Sequence, residues 1–309
     1  MSGLDTVPGY TRMSVPVRGG ELAVGTWGPA DEHSDAPVVL AVHGVTANHL
    51  SWPLVAQHLP GIRLVAPDLR GRGRSNALPG PWGMPQHADD LAAVLDHLGV
   101  DRAVVLGHSM GAFASLVLAN RHPDRVSSLV LVDGGLPLPA PDGMSDDELM
   151  RATLGPAAER LSMTFPSRAQ YREFWKRHPA FARDWSALVE DYVDYDLVGE
   201  EPELHPSSSY DAVAADSIEL RGGESLLKAL GEIAHPTTFL SAPRGLMDEI
   251  PPLYPARTIE EWSARLPQVG FLAVEDVNHY TIVMSDRGAR AVAAVVVGAV
   301  RTAQGVERR

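Results

Sequence analysis

The chain has 309 residues, 45% of them hydrophobic and 21% charged, the composition of an ordinary globular protein rather than a disordered or fibrous one. Lys and Arg number 26 against 39 Asp and Glu, a formal net charge of −13; with no basic stripe, nucleic acid and anionic membrane surfaces are poor partners. Cys is absent, which excludes disulfides, thiol catalysis and Cys-ligated metal sites.

Residues 1–15 contain no apolar run of the signal-peptide kind. The longest apolar run, 291–300, is too short to span a membrane, so a cytoplasmic protein without a membrane span is expected. Residues 13–17 and 22–27 read as a hairpin around Gly19-Gly20. Short apolar runs then alternate with helical patterns, as in a parallel sheet covered by helices. The runs at 37–42, 62–66, 102–106 and 127–132 predict buried strands, and residues 86–98 and 112–121 predict helices. From 136 to 235 the rhythm changes. No strand is predicted there, and 146–160, 168–178, 182–195, 210–220 and 224–233 read as helices. Alternation resumes with strands at 237–241 and 270–274 and helices at 258–266 and 286–302. The expected architecture is one α/β sheet built from 1–135 and 236–309, interrupted by a helical insertion at 136–235.

The strongest chemical signal is Gly107-His108-Ser109-Met110-Gly111, a G-x-S-x-G between a predicted strand and a predicted helix. Such a turn is tight enough that glycines flank the serine two residues away on each side, and it leaves Ser109 exposed at the carboxyl edge of the sheet. The helix N-terminus aims backbone N–H groups at the same place. A serine hydroxyl needs a base, usually a histidine oriented by a carboxylate. Of 12 histidines, His279 is best placed, just after the last predicted strand. His108 reads as structural, and His43 as a brace for its own loop.

Two carboxylates follow strands between Ser109 and His279. Asp248 follows the strand at 237–241 and Asp133 the strand at 127–132. Asp248 is preferred, because the order of elements puts its loop beside that of His279; Glu249 is its neighbouring substitute. Asp133 reads alternatively as a turn residue before Gly134. The expected oxyanion donors are the backbone N–H groups of Met110 and Val45, the latter in His43-Gly44-Val45-Thr46.

Together these residues resemble the α/β-hydrolase superfamily in its esterase-like branch with a helical cap. The likeness rests on His43-Gly44, on Asp68-Leu69-Arg70-Gly71-Arg72-Gly73-Arg74-Ser75, on Gly107–Gly111, on the Asp248 turn and on His279. It implies a mostly parallel eight-stranded sheet, a Ser-His-Asp triad and a cap at 136–235. The segment Asp68 to Ser75 looks like that family's structural turn. Its glycines do not complete a dinucleotide fingerprint, since Asn76 takes the last position.

A serine nucleophile implies acyl chemistry. The expected function is hydrolysis of a small or medium carboxylic ester or lactone through an acyl-enzyme on Ser109. A C–C bond hydrolase with the same triad and a non-catalytic ligand-binding receptor on the same fold are the rivals. No HExxH is present, and neither cofactor nor metal is expected. Nine aromatics, Phe165, Tyr171, Phe174, Trp175, Phe181, Trp185, Tyr192, Tyr195 and Tyr210, fall in the insertion with Met144, Met150 and Met163. They suggest an apolar roof over Ser109 and an uncharged acyl substrate. The acidic run Glu190, Asp191, Asp194, Asp196, Glu200, Glu201 and Glu203 reads as a solvated face.

Overall fold

The structure, a computed structural model, describes residues 2–29, 36–138 and 159–307. The first strands, β1 (Thr11–Val17) and β2 (Gly20–Trp27), pair antiparallel across Arg18-Gly19. Gly19 has a φ of 88° there, a left-handed conformation that only glycine adopts cheaply. Next come β3 (Val38–Val42), β4 (Arg63–Pro67), β5 (Ala103–His108) and β6 (Val126–Val132). Within the insertion lie β7 (Leu197–Glu200) and β8 (Glu203–Pro206), and after it β9 (Thr237–Ser241) and β10 (Val269–Ala273). Eight strands form one sheet in the order β1-β2-β4-β3-β5-β6-β9-β10. All pairs from β4 to β10 are parallel; only β1 and β2 join antiparallel. This is the expected α/β-hydrolase sheet.

Burial on both faces explains the near-continuous apolar strands. Alternate side chains enter two different cores, as the two-residue period of a strand requires. Leu40, Val65, Val105 and Leu129 face one core, with the helical residues Leu91 and Phe113. Val39, Leu64, Val104 and Val130 face the other, with the helical residues Val55 and Val292. Among the described residues the α-helices are, in chain order, α1 (Pro53–Gln57), α2 (Met84–His97), α3 (Met110–Arg121), α4 (Arg168–Lys176), α5 (Ala187–Tyr195), α6 (Tyr210–Glu219), α7 (Glu224–Gly231), α8 (Ala256–Arg265), α9 (Thr281–Met284) and α10 (Asp286–Glu307). No helix of the described residues is long and apolar enough to cross a membrane.

The chain leaves the sheet after β6 and returns in β9, beside β6. Between them, α4, α5 and α6 each start on a serine whose Oγ accepts an N–H of the first turn: Ser167, Ser186 and Ser209. Such caps satisfy donors that a helix start leaves open. The helix predicted at 146–160 falls largely outside the described residues. The insertion also departs from the all-helical expectation, since β7 and β8 form a separate antiparallel pair. Four-residue strands ending in Glu200 and starting at Glu203 carry too little apolar alternation to be read in advance. The acidic run is not all a solvated face either. Asp196 is buried against Arg160, and Arg172 pairs with both Glu190 and Asp194.

Leu106 sits in central β5 and is fully buried, whereas Leu272 in edge strand β10 is half exposed. Leu106→Ala is expected to cost about 2–5 kcal/mol in urea unfolding, and Leu272→Ala no more than about 0.5 kcal/mol.

Candidate active site

Ser109 stands between β5 and α3 with φ 53° and ψ −127°, a conformation that costs free energy for any residue with a Cβ. Its surroundings hold it there. The Ser109 N–H donates to Val132 O at 2.9 Å, and Ser109 O accepts from Ala112 N–H at 2.9 Å. A Cβ on Gly107 would lie 2.5 Å from the Ala112 Cα, and one on Gly111 would lie 2.0 Å from Val42 O. At Gly134 the added carbon would meet Ser109 O at 2.1 Å. The turn therefore packs directly on the ends of β3 and β6, and all three positions require glycine.

His279 follows β10 in the loop before α9. Its Nδ1 lies 2.7 Å from Asp133 Oδ2, and both side chains are buried. A carboxylate only accepts, so Nδ1 carries a proton, and in the neutral ring that tautomer leaves the lone pair on Nε2. Asp133 directly follows β6, with φ 45°. Its N–H donates to Leu240 O at 2.7 Å, and its Oδ1 accepts from Ala242 N–H at 3.1 Å. The carboxylate is thus fixed by the end of β9 and has one oxygen left for the imidazole.

Asp248 does not meet His279, which corrects the expectation from sequence. Its Oδ1 accepts from Arg244 Nε at 2.6 Å and from Asn278 Nδ2 at 3.0 Å. Burial opposes ionisation there, but the bonds from Asn278 and Arg244 hold its carboxyl below the usual carboxylate range. The physical reason is the loop after β9. It closes on itself, with Gly245 N–H bonded to Glu249 O at 2.9 Å and Asp248 at φ 61°. Glu249, exposed, likewise bonds within this loop, accepting from Met247 N–H at 2.6 Å. Asp133 needs no loop to reach the imidazole, because it is the first residue after its strand. Its signal in the sequence was Asp133-Gly134-Gly135, where Gly134 is required by contact with Ser109.

Asp248 instead steadies the His279 loop through Asn278. That amide accepts from the N–H groups of Tyr280 and Thr281 at 3.0 and 2.9 Å and donates to Ala180 O at 2.9 Å. His108 Nε2 donates to His279 O at 2.8 Å; burial, and then the neighbouring His279, holds its pKa well below the ordinary value. His43 braces its own loop. Its Nε2 accepts from Leu69 N–H at 2.9 Å, which leaves Nδ1 to donate to Gly44 O at 2.8 Å.

Ser109 and His279 line one open cleft of about 610 Å³ with Gly44, Val45 and Thr46. A Cβ on Gly44 would come within 3.5 Å of Ser109 Oγ, so glycine there leaves the hydroxyl clear. Met110 opens α3 and is buried behind the serine. The remaining wall is largely aliphatic: Leu138, Leu220, Leu246, Leu253 and Met284. Of the nine insertion aromatics only Tyr192 lines the cleft, joined by Tyr280 from outside the insertion. Most of the others, including Phe165, Tyr171, Trp175 and Phe181, pack on one another in the second core. Met144 and Met150 lie outside the described residues. Among the described residues no group of three or more His, Asp or Glu could hold a metal ion.

A family model for the alpha/beta hydrolase fold matches residues 37–283. Over 134 residues, 43% of this chain and 48% of the relative, the sequence is 41% identical to the lipase LipV of Mycobacterium tuberculosis. Over 150 residues, 47% of this chain and 51% of the relative, it is 35% identical to the bifunctional esterase/perhydrolase DCH of Acinetobacter calcoaceticus. The matches thus span about half the length of these curated relatives. Among solved structures, E-2-(acetamidomethylene)succinate hydrolase superimposes with a TM-score of 0.77 over 94% of this chain and 99% of that one. At 21% identity this likeness is one of fold.

Burial pulls the His43 imidazole down from 6.5 to about 4. Between those values the unfolded chain binds a proton that the folded one refuses, so stability falls as pH drops through the window. Urea unfolding near pH 7 and near pH 5 measures this. The midpoint is expected to be lower at the acid pH, and His43→Gln narrows the difference.

Proposed function

The chain belongs to the alpha/beta hydrolase fold family, and we propose that it is a serine hydrolase cleaving a small or medium carboxylic ester or lactone. The observation that carries this reading is the 2.7 Å bond from His279 Nδ1 to buried Asp133, with His279 and Ser109 lining the same cleft. In this reading Ser109 Oγ attacks the substrate carbonyl while His279 Nε2 takes its proton. Asp133 holds the imidazole in the required tautomer and stabilises the imidazolium. The backbone N–H groups of Val45 and Met110 receive the oxyanion. Collapse releases the alcohol, which takes the proton back from Nε2, and leaves an acyl group on Ser109. Water, deprotonated by the same nitrogen, then frees the acid.

Residues 1–135 and 236–309 serve as the catalytic core and 136–235 as the cap. The aliphatic lining of the cleft favours an uncharged acyl chain. The printed functions of the relatives, lipase and esterase/perhydrolase, support ester cleavage.

Steady-state hydrolysis of p-nitrophenyl esters separates the two carboxylates. Asp133→Asn is expected to lower kcat by about 10⁴-fold, since it offers the imidazole the wrong tautomer. Asp248→Asn is expected to stay within about tenfold of wild type, since it touches the loop and not the ring. The reverse pattern would return the role of the acid to Asp248.

A further inference from the structure

Two buried arginines converge on the loop that carries Val45. Arg72 lies in the turn after β4 and is fully buried. Its Nε donates to Val45 O at 2.9 Å and its Nη1 to Arg70 O at 2.8 Å, while Nη2 reaches Met110 Sδ at 3.8 Å. One guanidinium therefore touches both residues whose amides are assigned to the oxyanion. Its counter-ion is Asp216 on α6, 2.5 Å from Nη1. Asp216 is further held by Gly83 N–H at 2.6 Å and His87 Nε2 at 2.9 Å. The next carbonyl, Thr46 O, accepts from Arg160 Nη2 at 3.4 Å, and Arg160 is itself paired with Asp196. Successive loop carbonyls are thus held by two guanidiniums, each neutralised by a carboxylate from the segment between β6 and β9.

Stability alone is a poor reason for this arrangement. Burying an ion pair costs desolvation that well-packed apolar residues of similar volume avoid. A planar fork bonds in several fixed directions at once, which an ammonium group does not. The loop has reason to be held, because Gly44 sits close against Ser109, where a Cβ would come 3.2 Å from the Ser109 Cβ, and brings the freedom of glycine with it. Oxyanion donors act only when they lie within hydrogen-bond distance of the developing charge.

We propose that Arg72 is a positioning residue for the oxyanion donors, and that its ion pair with Asp216 ties their alignment to the seating of α6. This rests on the serine-hydrolase reading. Arg72→Lys keeps the charge facing Asp216 but loses the fork that holds Val45 O.

With p-nitrophenyl acetate, Arg72→Lys is expected to lower kcat by about 10- to 100-fold, with KM within about twofold of wild type. The dissociation constant of an alkyl trifluoromethyl ketone, whose serine adduct carries the oxyanion, should rise in proportion to the loss in kcat. The midpoint of the pH–rate profile should not move, since the base is untouched. Asp216→Asn should act in the same direction, and the double variant should be non-additive. Should Arg72→Lys fail to fold, Asp216→Asn decides by the same readouts. Wild-type kcat and ketone affinity, or a loss seen only in KM or thermal unfolding, overturns the proposal. A fluorophosphonate probe on the wild-type protein separates the two levels. Ser109 unlabelled overturns the serine reading and this proposal together; Ser109 labelled with Arg72→Lys unimpaired overturns this proposal alone.

Discussion

The close approach of the Ser109 turn to the ends of β3 and β6 is the constraint around which the site is built. Gly111 lies against Val42 O and Gly134 against Ser109 O, with no room at either place for a methyl group. The strained φ of Ser109 persists because the sheet and α3 over-determine it on both sides. That same contact brings three carboxyl ends of strands together. β3 runs into the Gly44-Val45 loop, β5 into Ser109 and β6 into Asp133. A parallel sheet delivers its strand ends to one edge, which is where ligands bind in folds of this kind. Only His279 arrives by a longer route, and its backbone is tied back by His108 and Gly245.

Polar contacts as well as apolar packing join the inserted segment to this edge. Asp68, fully buried, accepts from His49 N–H and Nδ1, from Arg74 N–H and from the Tyr195 hydroxyl. Burial alone would raise its pKa, but His49 and these bonds hold it well below the ordinary carboxylate range. Asp216 does the same work on α6, where burial is outweighed by His87 and Arg72 and its pKa falls to about 2. Asn48 reaches Tyr192 O at 3.3 Å, and Asn278 reaches Ala180 O. Buried groups of this kind are costly when unpaired, so each fixes one relative placement of insertion and sheet.

Local signals carried most of the sequence reading. Apolar runs bounded by glycine placed the sheet strands, and the glycines around Ser109 could be read from their spacing on either side of the serine between a strand and a helix. His279 was legible as the histidine just after the last predicted strand. The acid was a different problem. Asp133 and Asp248 both follow strands, and the choice between them depends on whether the loop after β9 extends or folds back. It folds back, through the Gly245–Glu249 bond, and no local pattern records that. The aromatics of the insertion posed a similar difficulty. Their composition predicts burial for most of them, not whether they face a cleft or one another. Arg72 was visible only as part of a structural turn. Its bonds to Val45, 27 residues away, and to Asp216 follow from tertiary structure alone.

The central claim is that Ser109 carries an acyl group during turnover, with His279 and Asp133 as its base and orienter. Rapid acid quench of the protein with p-nitrophenyl acetate, followed by peptide mass spectrometry, tests it most directly. The account predicts an acetyl group on the peptide containing Ser109, formed within the dead time of the nitrophenol burst. In Asp133→Asn that group should form far more slowly at the same residue. Turnover with no acyl group on Ser109, or an acyl group on another residue that forms at the turnover rate, would contradict it.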